Sequence, residues 1–105
     1  MDGFPQFISF GEALTDMIHL GGNRWASVPG GAPWNVARVM ATFGVISAFG
    51  GAISQDCFGD MLWQASVEAR LDMRFMQRLD KSPLLAIVHE TSPPRYFFIG
   101  DDSAD

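Results

Sequence analysis

Read for the spacing of its apolar residues, the chain alternates short extended runs with stretches of helical period. Gln6–Phe10 (QFISF) is aromatic and β-branched, follows Pro5 and stops at Gly11, which predicts a buried strand. Leu14, Met17, Ile18 and Leu20 suit a helix, but Gly21-Gly22-Asn23 breaks it early and Trp25 to Val28 is extended again. A loose hairpin over Ala13 to Val28, turning at Gly21 to Asn23, accounts for both halves. Pro33 to Phe43 carries Val36, Val39, Met40 and Phe43 at i, i+3, i+4, i+7, the apolar stripe of a helix that Gly44 then stops.

Val45 to Ile53 predicts a second buried strand, closing at Ser54-Gln55-Asp56. From Phe58 the helical period returns: Phe58, Met61, Leu62 and Ala65 share a face, Gln64, Glu68 and Arg70 lie off it, and the pattern fades near Leu71. Strand, helix, strand, helix predicts an α/β fold of parallel βαβ units with right-handed crossovers, and Met73 to Met76 is expected as a third strand of that sheet. Leu84 to His89 and Arg95 to Ile99 flank Thr91-Ser92-Pro93-Pro94, a hairpin signal rather than another βα unit. The acidic end, Asp101 to Asp105, contains Ser103, a suitable cap for a further helix.

The 105 residues, 48% of them hydrophobic, allow one small domain with a real core and no second one. A formal charge of −5 with only 7 Lys and Arg leaves no basic stripe, which argues against nucleic acid as a partner. The single cysteine, Cys57, rules out an internal disulfide and fits a reducing compartment. Neither a basic start with an apolar run nor a membrane-length apolar stretch is present, so a soluble, cytoplasmic protein without a membrane partner is expected.

The most demanding local chemistry is Pro29-Gly30-Gly31-Ala32-Pro33-Trp34-Asn35-Val36-Ala37. Gly30 and Gly31 permit positive φ or a close approach of another backbone or a ligand. Pro33 suits the first turn of a helix, whose free N–H groups and dipole favour an electronegative group. Asn35 projects an amide from the same turn. Asp16, in an apolar setting with Leu14, Met17 and Ile18, is a costly place for a carboxylate without partners. Carboxylate and amide together suit a polyhydroxylated ligand, because each hydroxyl donates one hydrogen bond and accepts another. A bland alternative is a Gly-Gly turn with Asn35 and Asp16 merely exposed.

Other motifs fall away. The segment after the first strand, Gly11-Glu12-Ala13-Leu14-Thr15-Asp16, has one glycine, too few for a dinucleotide fingerprint. The sole lysine, Lys81, is far from any glycine, so a Walker-type phosphate loop is excluded. His19 and His89 have no ligand at metal-site spacing, and no metal site is expected from them. Cys57 opens the second helix without a positioned His partner and reads as a small buried filler.

Gly11 to Asp16, Pro29 to Ala37, Gly50-Gly51 and Gln55-Asp56-Cys57-Phe58-Gly59-Asp60 together resemble, in order and spacing, the N-terminal part of the ribokinase-type (PfkB) carbohydrate kinases. The wording is most similar to fructokinases. The resemblance implies a Rossmann-like core with a small antiparallel β lid, transferring the ATP γ-phosphoryl group to a sugar hydroxyl with Mg²⁺. It places the lid at about residues 13–28 and 84–99. It assigns Asp16, Gly30, Gly31 and Asn35 to sugar binding, and Leu85 and Ile87 to closing over the sugar's apolar face. Leu14 departs from the asparagine of true ribokinases, and Gly100 stands where many ketodeoxygluconate kinases have arginine, which leaves fructose or a similar neutral ketose.

The family's Gly-Ala-Gly-Asp segment with its catalytic base and anion hole, its nucleotide pocket and its Asn/Glu motif associated with Mg²⁺ do not occur in these 105 residues. The resemblance therefore implies the sugar-binding and lid part of one kinase domain, with no catalytic or metal residue of its own, inactive alone. It also allows a homodimer through lid strands. The rival expectation is a non-catalytic, truncated α/β interaction module that self-associates through those strands.

Overall fold

The computed structural model describes residues 3–100; Ser103 and the rest of the acidic end lie outside them. Three parallel strands form one sheet: β1 (Phe7–Phe10), β4 (Ser47–Ser54) and β5 (Met76–Leu79), in the order β1-β4-β5. Helices α1 (Ala32–Thr42) and α2 (Cys57–Glu68) alternate with these strands along the chain. The remaining strands, β2 (Leu14–Gly21), β3 (Arg24–Gly30), β6 (Leu85–Thr91) and β7 (Pro94–Ile99), form a second sheet in the order β3-β2-β6-β7. Both predicted hairpins are present, and they are halves of one sheet. β2 and β6 run parallel at its centre, with Asp16 opposite Ala86 and Met17 opposite Ile87.

The core gathers Ala13, Trp34, Ala37, Phe49, Ile53, Leu62, Leu71 and Met76 between helices and parallel sheet. β4 is the central strand; its SAFG start, paired with β1 and bridged at Ala48 to Asp72, is buried at every position. Trp34 is 2% exposed, and its indole N–H donates to Ser66 Oγ at 2.9 Å, while Ser66 donates in turn to the Leu62 carbonyl at 2.7 Å. That chain satisfies the one polar atom the tryptophan carries into the core.

Three expectations need correction. α1 exists, but it does not bury the stripe that identified it. Val36, Val39 and Phe43 are 47%, 41% and 78% exposed, and Trp34 and Ala37 face the core. The helix carries two apolar stripes; Ala37 permits close approach and Trp34 brings the larger apolar area and a hydrogen-bond partner, so that side wins. Met73 to Met76 is not a strand. Met73–Phe75 is a 3-10 turn, closed by the Asp72 carboxylate accepting from Arg74 N–H at 3.1 Å, and the ladder begins only where Met76 meets Gly51. Cys57 is exposed rather than buried, because it occupies the first turn of α2 beyond the Asp56 cap.

The stops are as expected. Gly44 takes φ +82° and its N–H donates to the Ala41 carbonyl at 3.0 Å. Asp56 caps α2, its Oδ1 accepting from Phe58 and Gly59 N–H at 3.0 and 3.1 Å and from Ser54 Oγ at 2.6 Å. Gly59 is obligatory there, since a Cβ would run into the Ser54 carbonyl oxygen. Among the described residues no helix is long and apolar enough to cross a membrane.

Candidate functional site

Gly11, at the end of β1, takes φ +144°, and a Cβ on it would meet Pro33 Cγ at 2.7 Å. The first strand of the core thus ends directly against the first turn of α1. Gly31, φ +99°, sits just before that turn; its missing Cβ leaves room for the Glu12 carbonyl, which would otherwise be 2.7 Å away. No side chain caps α1. Pro33 lies in its first turn, and Asn35 N–H donates to the Gly31 carbonyl at 2.9 Å. Glycine is required at 31 on two counts, a positive φ and a backbone neighbour.

Gly30 ends β3 opposite Leu14 on β2, and Asp16 pairs with Val28 two residues further along the hairpin. Residues i and i+2 share a face of a strand, so Leu14, Asp16, Val28 and Gly30 point the same way. The contacts agree: a Cβ on Gly30 would lie 2.5 Å from Asp16 Oδ2 and 3.5 Å from Leu14 Cδ1. Asp16 is half-buried on that face, and among the described residues no side chain or backbone group hydrogen-bonds or ion-pairs with its carboxylate. Burial pushes its carboxyl above the usual carboxylate value, because the charged form is partly removed from water. A carboxylate left without a partner in a half-buried place is prepared for an incoming donor.

The structure brings Asp16 and Gly30 together and joins Gly31 and Asn35 through one turn of backbone. It does not bring Leu85 and Ile87 to Asp16. In the parallel β2–β6 ladder Leu85 pairs with Thr15 and Ile87 with Met17, on the opposite face of the sheet, whereas Ala86 and Val88 pair with Asp16 and Ile18. Across β7 the same face continues through Phe98, opposite Ala86, and Tyr96, opposite Val88, rings 5.6 Å apart. A shift of one residue exchanges every side chain between faces, and the sequence of a strand does not fix which parity its neighbour imposes.

Arg38 stands beside Asn35 on α1. Its Nε and Nη2 donate to Asn35 Oδ1 at 3.3 and 3.2 Å, and its guanidinium lies 5.8 Å from the Trp34 ring centre. The signal was available, since Asn35 and Arg38 are three apart on a predicted helix and therefore neighbours. The two histidines pack within their own hairpins. His19 Nε2 lies 3.0 Å from the Gly22 carbonyl oxygen and its ring packs on Trp25, and His89 packs on Phe97. Among the described residues no three of His, Cys, Asp or Glu gather where a metal ion would sit.

Residues 6–104 match the sequence pattern of the pfkB family carbohydrate kinases. A fructokinase of Klebsiella pneumoniae is 37% identical over 70 residues, 67% of this chain and 22% of that protein. Among solved structures, the fructokinase of Xylella fastidiosa with bound ATP superposes with a TM-score of 0.88 at 33% identity, over 94% of this chain and 31% of that one. The fructokinase of Vibrio cholerae in its fructose, ADP and calcium ion bound form superposes with a TM-score of 0.82 at 28% identity, over 94% of this chain and 33% of that one. The chain thus spans less than two thirds of the length of each of these proteins.

Proposed function

The chain belongs to the pfkB family of carbohydrate kinases, and from that premise we propose that it forms the sugar-binding wall and the β lid of an ATP-dependent kinase for fructose or a similar neutral ketose. The observation that carries the reading is the half-buried, unpartnered Asp16 carboxylate beside the bare Gly30 backbone. An ionised carboxylate only accepts, so it accepts hydrogen bonds from two neighbouring sugar hydroxyls. The absence of side chains at Gly30 and Gly31 lets the sugar ring lie against the backbone, and Asn35 adds its amide from the start of α1. On the lid, Ala86 and Val88 share the Asp16 face and are the apolar cover for the sugar, in place of Leu85 and Ile87.

Residues 1–105 hold no catalytic residue in this reading, and the chain by itself turns over no ATP. ATP, the metal and the catalytic base are assigned to parts of the protein outside this stretch, and phosphoryl transfer needs all of them in place. The fructose, ADP and calcium ion of the Vibrio cholerae fructokinase support this choice of ligands.

Titration of the ¹⁵N-labelled chain with fructose tests the reading by NMR. Shift changes centred on Asp16, Gly30, Gly31 and Asn35, abolished by Asp16→Ala, are expected. No change at these four residues with any sugar of a ketose and aldose panel refutes it.

A second reading, a module that self-associates through its lid, is favoured by β7 alone. Tyr96, Phe97, Phe98 and Ile99 are each at least half exposed on an edge strand. Sedimentation showing a dimer that Phe97→Glu converts to monomer, together with no sugar response, would favour that module over the kinase part.

A further inference from the structure

Asn35 is not free to act both ways. Its carbonyl oxygen already accepts two N–H groups from Arg38. A guanidinium has donors only, so the flipped amide would set N–H against N–H, and the contact fixes which end faces Arg38. Arg38 is itself held over the Trp34 ring, and Trp34 is fixed in the core by Ser66. The orientation of one amide at the start of α1 is therefore tied, contact by contact, to the buried side of α2. Among the described residues nothing accepts from the Asn35 NH₂ group, which leaves two donors unused.

We infer that Arg38 is a positioning residue that occupies Asn35 Oδ1 and makes Asn35 a donor to the sugar. This rests on the proposed function and deepens it. The two polar groups of the wall then divide the work. Asp16 accepts hydrogen bonds from ligand hydroxyls, and Asn35 donates hydrogen bonds to ligand oxygens. A ligand is held by this pair only if it presents hydroxyl donors to one and an oxygen acceptor to the other. The competing account is an ordinary i, i+3 helix pair, which supports the helix and does nothing for the ligand.

A double-mutant cycle separates the accounts, because coupling appears only where one residue acts through the other. Arg38→Met keeps the stem over Trp34 and removes the donors; Arg38→Lys keeps the charge and is measured beside it in case the Met variant folds poorly. Fructose affinity is followed by NMR titration of the whole chain. Arg38→Met is expected to weaken binding about tenfold, the scale of one lost hydrogen bond to a ligand, with Arg38→Lys in between. In an Asn35→Ala background the same substitution is expected to change nothing further. The ligand-free Asn35 NH₂ resonance pair is expected to shift in Arg38→Met, since its carbonyl partner is gone. Equal losses in both backgrounds, or wild-type affinity in Arg38→Met, would overturn the inference while leaving the sugar site intact. A wild-type chain that binds no sugar overturns the proposed function and with it the donor role, whatever the Asn35 resonances do.

Discussion

Gly30 and Asp16 lie diagonally across one face of the β2–β3 hairpin, so that a Cβ at position 30 would stand 2.5 Å from Asp16 Oδ2. The obstacle is the far end of a side chain, which moves. Gly30 also has an ordinary negative-φ backbone, unlike Gly31 at +99°. Gly30→Ala is therefore expected to displace the carboxylate and weaken fructose binding at least tenfold, at a cost to stability of about 1 kcal/mol. Gly31→Ala meets a backbone carbonyl in a strained conformation and should do the reverse of selective damage, lowering the melting temperature by several degrees. Urea titrations beside sugar titrations distinguish the two; equal effects at both positions would contradict the geometry.

Asp16 opposes the stability of its own fold at neutral pH. Burial raises its folded-state pKa above the ordinary 3.8. The sign follows: the protonated group contributes stability that is fully present below the unfolded value and is lost as pH rises through the folded one. Asp16→Asn should therefore be more thermostable than wild type at pH 7, with the gap closing as pH falls below about 4, while sugar affinity drops roughly ten- to hundredfold for loss of a charged acceptor. Melting curves from pH 3 to 7 check the first part, and an Asn variant that is no more stable at pH 7 would contradict it.

Much of this was legible in the chain, and the gaps have physical causes. Apolar period and glycine stops placed β1, α1, β4, α2 and both hairpins, because those signals are local. The buried side of α1 was not legible: Val36, Val39 and Phe43 keep the same period as Trp34 and Ala37, and only tertiary packing chooses between them. The start of β5 was missed because Asp72 forms a side-chain turn that propensity does not register. Of the candidate site, the chemistry of Asp16, Gly30 and Gly31 was legible residue by residue, whereas strand parity, which sets Ala86 and not Leu85 opposite Asp16, was not.

Asp56 provides the opposite pH signature within the same molecule. Burial pushes its carboxyl up, but hydrogen bonds from the Ser54 hydroxyl and from Gly59 and Phe58 N–H outweigh it and hold the value below the ordinary one. Its contribution is present above the unfolded pKa and is lost as pH falls through the folded one. Asp56→Ala should cost about 1 kcal/mol at pH 7, the usual worth of an N-cap, and progressively less in acid. Chemical denaturation at pH 7 and pH 3 measures this; a penalty that stays constant between them would remove the charged cap from the account.

The Trp34–Ser66 contact joins α1 to α2 and offers a last test, of the scaffold beneath the site. Ser66 is fully buried, accepts the indole N–H and donates to the Leu62 carbonyl. Ser66→Ala strands the indole donor in an apolar core, at a cost of about 1–3 kcal/mol. Trp34→Phe removes that donor together with some volume, so it has a cavity cost of its own. In the double variant the stranded donor no longer exists, and the loss should be smaller than the sum of the single losses. Strict additivity in urea would mean that the hydrogen bond does not couple the helices. If coupling is found, Ser66→Ala should also loosen Arg38 over Trp34 and broaden the Asn35 side-chain amide resonances, linking core packing to the orientation of the site.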